Sequence, residues 1–409
     1  MTASAPASSE ALPRPDGPPD YRLVGRHGVF PDTTHDEIER INFLAQMNRH
    51  LAARVVPGVA QAYESRVRPA LRQALGREPQ DRHEVRHGLL ADPAFQTWSA
   101  LRRLTMEQRQ QAGLWTTLRQ AEGLARKAAA LVAADRLTLD PPLAVPRYVK
   151  AVDHHCMPGS YHQERFEGDV VAGANYDHAG FVTTGGLLGR WADGGGQAVA
   201  RWIRRHHPDF RPRRILDIGC TVGHSVVPIA QAFPEAEVVA IDVGAPVLRY
   251  AAARAASLGV SNIRFVQANG EDLSRFDDGS FDWIQTTMFL HELSTTALGA
   301  IARESHRLLR AGGVVLHVEQ PQYGKDMPLL EQALRDWDAF YNNEPFWSRL
   351  HELDLGQHLV AAGFDAERLI HANVTAVVDT ELFPDAAEDD TEDYGRKAAW
   401  HVTGAWRSA

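Results

Sequence analysis

Cysteine is scarce in this chain, with two among 409 residues, so no disulfide framework holds it together and a reducing compartment is expected. Long apolar runs are missing as well. No stretch approaches the roughly 18 apolar residues of a membrane-spanning helix. The amino terminus has no basic-then-apolar signal. A cytoplasmic location and no membrane partner are the expectation. Basic excess is also absent: 43 Lys and Arg stand against 52 Asp and Glu, a net charge of −9. That balance argues against a nucleic-acid partner. What remains is an ordinary core-forming composition, 44% hydrophobic, over a length that suits two or three domains.

Residues 1–20 are rich in Pro, Ala and Ser and carry almost no large apolar groups, so a disordered tail is expected there. From Thr34, which forms a capping-box pattern with Glu37, apolar residues recur at helical spacing. Further helical stretches read over 58–76, 81–91, 93–104 and 105–135, with breaks at Pro57-Gly58, from Gly76 to Pro79 and at Asp92-Pro93. Trp98, Leu101, Leu104, Trp115, Leu118, Leu124 and Leu131 are the candidate core. Residues 30–140 thus read as an all-helical domain, a lid, substrate wall or homodimer surface. Pro141, Pro142 and Pro146 open a linker, and 141–200 continues into a segment dense in Gly, His and aromatics.

The chain is organised around 213–242, RRILDIGCTVGHSVVPIAQAFPEAEVVAID. It reads strand, glycine turn, helix, strand. Gly219 and Gly223 suit a tight turn and a close backbone approach to a ligand. Asp242 closes the second strand, where one carboxylate can accept hydrogen bonds from two ribose hydroxyls. A dinucleotide fingerprint needs glycine where Thr221 and His224 stand, which disfavours a pyrophosphate ligand.

Asp217-Ile218-Gly219-Cys220-Thr221-Val222-Gly223 resembles the D-x-G-C-G-x-G motif of class I S-adenosylmethionine (SAM) dependent methyltransferases, with Thr221 for the middle glycine. Tyr176-Asp177 and Phe181 resemble the Y-D-x-G-x-F segment of cyclopropane-synthase-like relatives, where a tyrosine loop covers the cofactor. Asn269-Gly270-Glu271-Asp272-Leu273 resembles the ubiquinone-biosynthesis type, with Asn269 for the acid that receives the adenine amino group. Asp278 to Asp282 and the turn Ala311-Gly312-Gly313 follow in family order. The resemblance implies an α/β, Rossmann-like seven-stranded methyltransferase sheet over 201–409, behind the helical domain. It closes on an antiparallel pair, Val374 to Val378 and Ala399 to Trp406, joined by a solvated acidic turn at 385–393. It implies SAM as cofactor, held by Tyr176, Asp217, Gly219, Cys220, Thr221, Gly223, Asp242, Val243, Asn269, Gly270, Glu271 and Met288.

Methyl transfer displaces an already activated leaving group, so the protein must align the acceptor, exclude water and remove a proton where needed. His291, at the carboxyl end of the fourth strand, is the candidate base, with Glu319 as its catalytic companion. Glu292 is a candidate contact to ribose or substrate. Tyr161, His317, Tyr341, Asn342 and Trp347 are candidates for the substrate wall. Two histidine groups invite a metal reading: His154, His155 and Cys156 with His162, and His291 and His317 with Glu319. The first lacks metal-site spacing; the second could mimic a two-His-one-carboxylate site, but polar residues beside a cofactor explain it without a metal, and no metal is expected. The expected function is methyl transfer to a small molecule of secondary metabolism. The alternative is a SAM-binding protein that does not transfer methyl, a partner protein or a repurposed catalyst such as a cyclase.

Overall fold

A computed structural model describes residues 17–324, 326–375, 377–383 and 399–408. Most of the expected tail and the acidic turn at 385–393 lie outside the described residues. At the tail's end Pro18 is buried, and the Asp20 side chain accepts from the Arg22 amide to cap a short turn.

The centre is one eight-stranded sheet. Its strands are β1 (Leu137–Thr138), β2 (Arg214–Ile218), β3 (Glu237–Asp242), β4 (Ile263–Gln267), β5 (Phe281–Thr287), β6 (Leu309–Glu319), β7 (Leu369–Thr375) and β8 (Ala399–Trp406). Their order is β1-β4-β3-β2-β5-β6-β8-β7. The first six run parallel; β8 is antiparallel to both β6 and β7. The sequence implied seven strands. The extra one is β1, whose two residues pair with Phe265 and Val266 on the free edge of β4, too short to show a periodic pattern. The seventh strand begins at Leu369 rather than Val374, because its alternating polar residues mask a half-covered edge strand.

Alternation along the strands builds two cores. Ile215, Val238, Ala240, Phe265 and Trp283 face one side, under Gly194–His206, Val226–Ala232 and Ala245–Ser257. Leu216, Ile218, Val239, Ile241 and Ile284 face the other, under Thr295–Leu308 and Leu355–Ala361. Successive strands leave β2 in opposite directions, so the switch point of the sheet falls between β2 and β5.

The amino-terminal helices differ from the sequence reading in three ways. The break expected at Pro57-Gly58 is instead a π-turn, Leu51–Val55, and the helix continues through it to Leu75 with a second π-turn at Tyr63–Val67. Each π-turn precedes a proline, Pro57 or Pro69, and widens the helix where a proline ring would strike the preceding turn. Pro93–Leu118 is one helix where the sequence reads two stretches, 93–104 and 105–135, and a separate helix follows at Ala121–Leu131. Leu104, Trp115, Leu118 and Leu131 are exposed, whereas Trp98 and Leu124 are buried. The core of this helical part takes Ala333, Leu334 and Trp337 from beyond β6. A buried ion pair, Arg82 to Asp336 at 2.6 Å, ties the same two regions together. No helix among the described residues is long and apolar enough to cross a membrane.

Candidate functional site

The glycine turn lies at the carboxyl end of β2. Gly219 has φ 78°, and a Cβ there would come within 2.3 Å of the Phe289 ring, so only glycine fits. Thr221 is also left-handed, with φ 47°, which explains why the related motif carries glycine at this place. Asp242 Oδ2 accepts from the Thr221 amide at 3.0 Å and Oδ1 from the Gly244 amide at 2.8 Å. Burial raises the Asp242 carboxyl above its usual range, while these amides pull it down. Asp217 lies beneath the turn, its Oδ1 buried without a partner, and burial raises it strongly.

A cleft of about 730 Å³, counted to its open mouth, spans this turn. Of the expected cofactor residues, Tyr176, Gly219, Thr221, Asp242, Val243, Asn269, Gly270 and Met288 line it. Asp217, Cys220, Gly223 and Glu271 do not reach its wall. Cys220 is buried and its thiol is pushed up by burial. Glu271 accepts from Tyr148 at 3.0 Å, and its amide donates to Asn269 Oδ1 at 3.1 Å. The Tyr176 segment is a helix, Val171–Thr184, where the resemblance implied a loop. Tyr148, Phe289 and Ile301 also line the cleft. None of the three belongs to a motif, so nothing in the sequence singled them out as site residues.

The expected catalytic and substrate residues divide. His291 and Glu319 are buried beside the cleft. Glu319 Oε1 accepts from the Phe289 and Leu290 amides at 2.8 and 2.6 Å, and Oε2 lies 2.9 Å from His291 Nδ1. Burial pulls His291 down, but Glu319 outweighs it and lifts the imidazole to about 9. Trp347 stacks on His291 with ring centres 4.1 Å apart. Tyr161 is in the cleft wall, and its hydroxyl donates to Glu292 Oε1 at 2.7 Å. Asn342 Nδ2 is 3.2 Å from His155 Nδ1. Tyr341 packs on Trp337 in the helical part, and its carbonyl accepts from Arg103. His317 pairs with Thr286 at 2.8 Å inside the sheet, where burial lowers it to about 4. Neither Tyr341 nor His317 lines the cleft.

One group was missed as a partner of this region. Glu344 is fully buried and lies 2.6 Å from His155 Nδ1, with burial pushing its carboxyl up to about 8. An acid inside the aromatic run 341–347 was its only signal in sequence.

A parallel sheet with a glycine turn and an acid at its switch point defines an α/β enzyme built for a nucleoside cofactor. Comparison with known proteins sharpens that class. A family profile described as "Methyltransferase domain" matches residues 215–313. An uncharacterized methyltransferase of Synechocystis sp. is 30% identical over 158 residues, 38% of this chain and 68% of that protein. Demethylmenaquinone methyltransferase of Roseiflexus castenholzii is 31% identical over 190 residues, 46% and 67% of the two chains. Nocamycin O-methyltransferase of Saccharothrix syringae is 32% identical over 124 residues, and the chain spans only 40% of its length. The chain belongs to the class I SAM-dependent methyltransferases, and SAM is its cofactor. The residues fit it: Gly219 brings bare backbone to the cleft wall, and the Asp242 carboxylate in that wall has the acceptor chemistry that sugar hydroxyls need.

Proposed function

We propose that the protein transfers a methyl group to a small-molecule acceptor held between the cofactor cleft and the polar groups behind it. One observation carries this reading. Tyr161 and Glu292 line the cleft and also connect, through their side chains, to half-buried His155, which in turn meets Glu344. An acceptor in that position has polar partners on one side and the cofactor on the other.

SAM supplies the activated methyl group. The chain's own residues bind, orient and exclude water. Asp242, Thr221 and Asn269 hold the cofactor side, and Tyr148, Tyr161 and Tyr176 close over it, which gives 141–200 the role of a lid. His291 meets the acceptor through Nε2, since Glu319 occupies Nδ1. As a base it acts after giving up the proton that Glu319 helps it keep. Glu319 positions His291 and the turn that carries it. The likeness to an enzyme named for nocamycin supports a natural-product acceptor. Incubation with SAM and metabolite extracts, read by mass for a gain of one methylene, tests the reading. SAM consumed with a methylated product supports it; SAM bound but never consumed with any extract contradicts it.

A further inference from the structure

The two histidine groups that stood apart in sequence each send one member to a common point. His155 comes from the first group and His291 from the second, and Glu292 joins them. One ligand atom from each of the three lies within 4.8 Å of the others. His154, Cys156, His162 and His317 are not part of this set. His154 instead pairs with Ser160 at 3.2 Å.

The outer partners are what distinguish this arrangement from a chance polar cluster. His155 presents Nε2 to Glu292 Oε1 at 3.6 Å, while its Nδ1 faces Glu344 at 2.6 Å. His291 has its Nδ1 on Glu319 at 2.9 Å, which leaves Nε2 for a ligand. Glu292 is held by the Tyr161 hydroxyl. So each imidazole has a buried carboxylate behind one nitrogen, and the ligating carboxylate has its own donor. His291 is oriented as metal-binding histidines are, with the second nitrogen hydrogen-bonded to a carboxylate, whereas His155 Nδ1 faces Glu344 and lies 3.2 Å from Asn342 Nδ2. The carboxylates of buried Glu319 and Glu344 and of half-buried Glu292 thus surround the two imidazoles. Neither oxygen of Glu344 has a well-aligned side-chain donor.

We infer that His155, His291 and Glu292 form a binding site for a divalent transition-metal ion beside the cofactor cleft. Two histidines and one glutamate are a donor set for zinc and its neighbours, and three protein ligands leave a position for an exogenous oxygen. Bonds of about 2.1 Å at a tetrahedral ion separate ligand atoms by about 3.4 Å, so the three side chains, now within 4.8 Å, need to close by at most about 1.4 Å. Because Glu292 also lines the cleft, the ion would face the acceptor. An acceptor oxygen bound to it becomes more acidic, and His291 then serves as ligand rather than base. That consequence rests on the function proposed above; the binding does not.

The test uses the full chain, stripped with chelator and titrated with Zn²⁺ by calorimetry and with Co²⁺ by visible absorption. One ion per chain is expected. His155→Gln and His291→Asn should each weaken binding at least tenfold, with S-adenosylhomocysteine binding kept as evidence of folding. Should His291→Asn unfold, His155→Gln on the 153–163 loop carries the test alone. Absence of stoichiometric binding, or equal binding in His155→Gln, would overturn the inference. Stoichiometric binding with no methyl transfer to any acceptor would count against the proposed function and leave the ion site standing. Methyl transfer by a protein that binds no ion would do the reverse.

Discussion

Thr221 stands where the related motif has glycine, and its backbone has the left-handed φ that glycine provides. A β-branched residue there is strained by roughly 1–2 kcal/mol, part of which glycine's greater unfolded entropy would offset. Thr221→Gly is therefore expected to stabilise the protein by up to about 1 kcal/mol in urea unfolding; a clear loss of stability would show that the side chain contributes something the backbone strain does not. Gly219, Thr221 and Asp242 were legible in sequence because a turn chemistry and a spacing point to them. His155 was legible only as one of a group of histidines, and Glu344 was not legible as a site residue. They are 189 positions apart, and only the fold brings them within 2.6 Å. The left-handed backbone at His155, with φ 52°, sets it apart from its neighbour His154, a distinction that adjacent histidines in a sequence do not reveal.

Among the elements, the helix Val171–Thr184 has a role larger than a covering loop would have. Its Asp177 is a buried hub. It accepts from Tyr250 at 2.9 Å and lies 2.8 Å from His27 and 2.7 Å from His224. Burial pushes Asp177 up, but His224 and His27 more than offset it and hold the carboxyl well below its usual range. One side chain thus joins the amino-terminal segment, the helix Val171–Thr184, the glycine turn and the helix Ala245–Ser257. Asp177→Asn removes the charge and misaligns at least one partner, and a loss of about 3 kcal/mol is expected, read as a fall in denaturant midpoint. A change below about 0.5 kcal/mol would show that the hub is not energetically coupled. Strands β2 to β6 were readable from their apolar runs and turns. The joined helix from His35 to Leu75 was not, because proline normally ends a helix and the π-turns that rescue it have no sequence signature.

Across the whole molecule, buried imidazoles tie stability to pH. His178 is fully buried against Tyr21, whose hydroxyl it meets through Nδ1, and burial lowers it to about 4. A base whose folded pKa lies below its ordinary value of 6.5 is protonated more readily in the unfolded chain. Its contribution is therefore complete above about pH 6.5 and fades as pH falls toward 4, by about 1.4 kcal/mol per pH unit. Wild-type stability should fall across that window, and His178→Gln should fall less steeply by one proton's worth. Identical slopes would mean that His178 is not neutral in the folded state. The same scale shows why the helical part could not be separated cleanly in sequence. Its core borrows Leu334 and Trp337 from beyond β6, and Arg82 reaches Asp336 across 254 positions.

The proposed methyl transfer depends on a cleft in which we propose that Asp242 holds the cofactor's sugar beside the glycine turn. Calorimetry of the wild type and Asp242→Ala with S-adenosylhomocysteine tests that grip most directly. One site per chain is predicted for the wild type, with affinity at least about a hundredfold weaker in the variant, a difference of about 2.8 kcal/mol. Equal affinity in the two proteins, or no heat with the wild type, would contradict it.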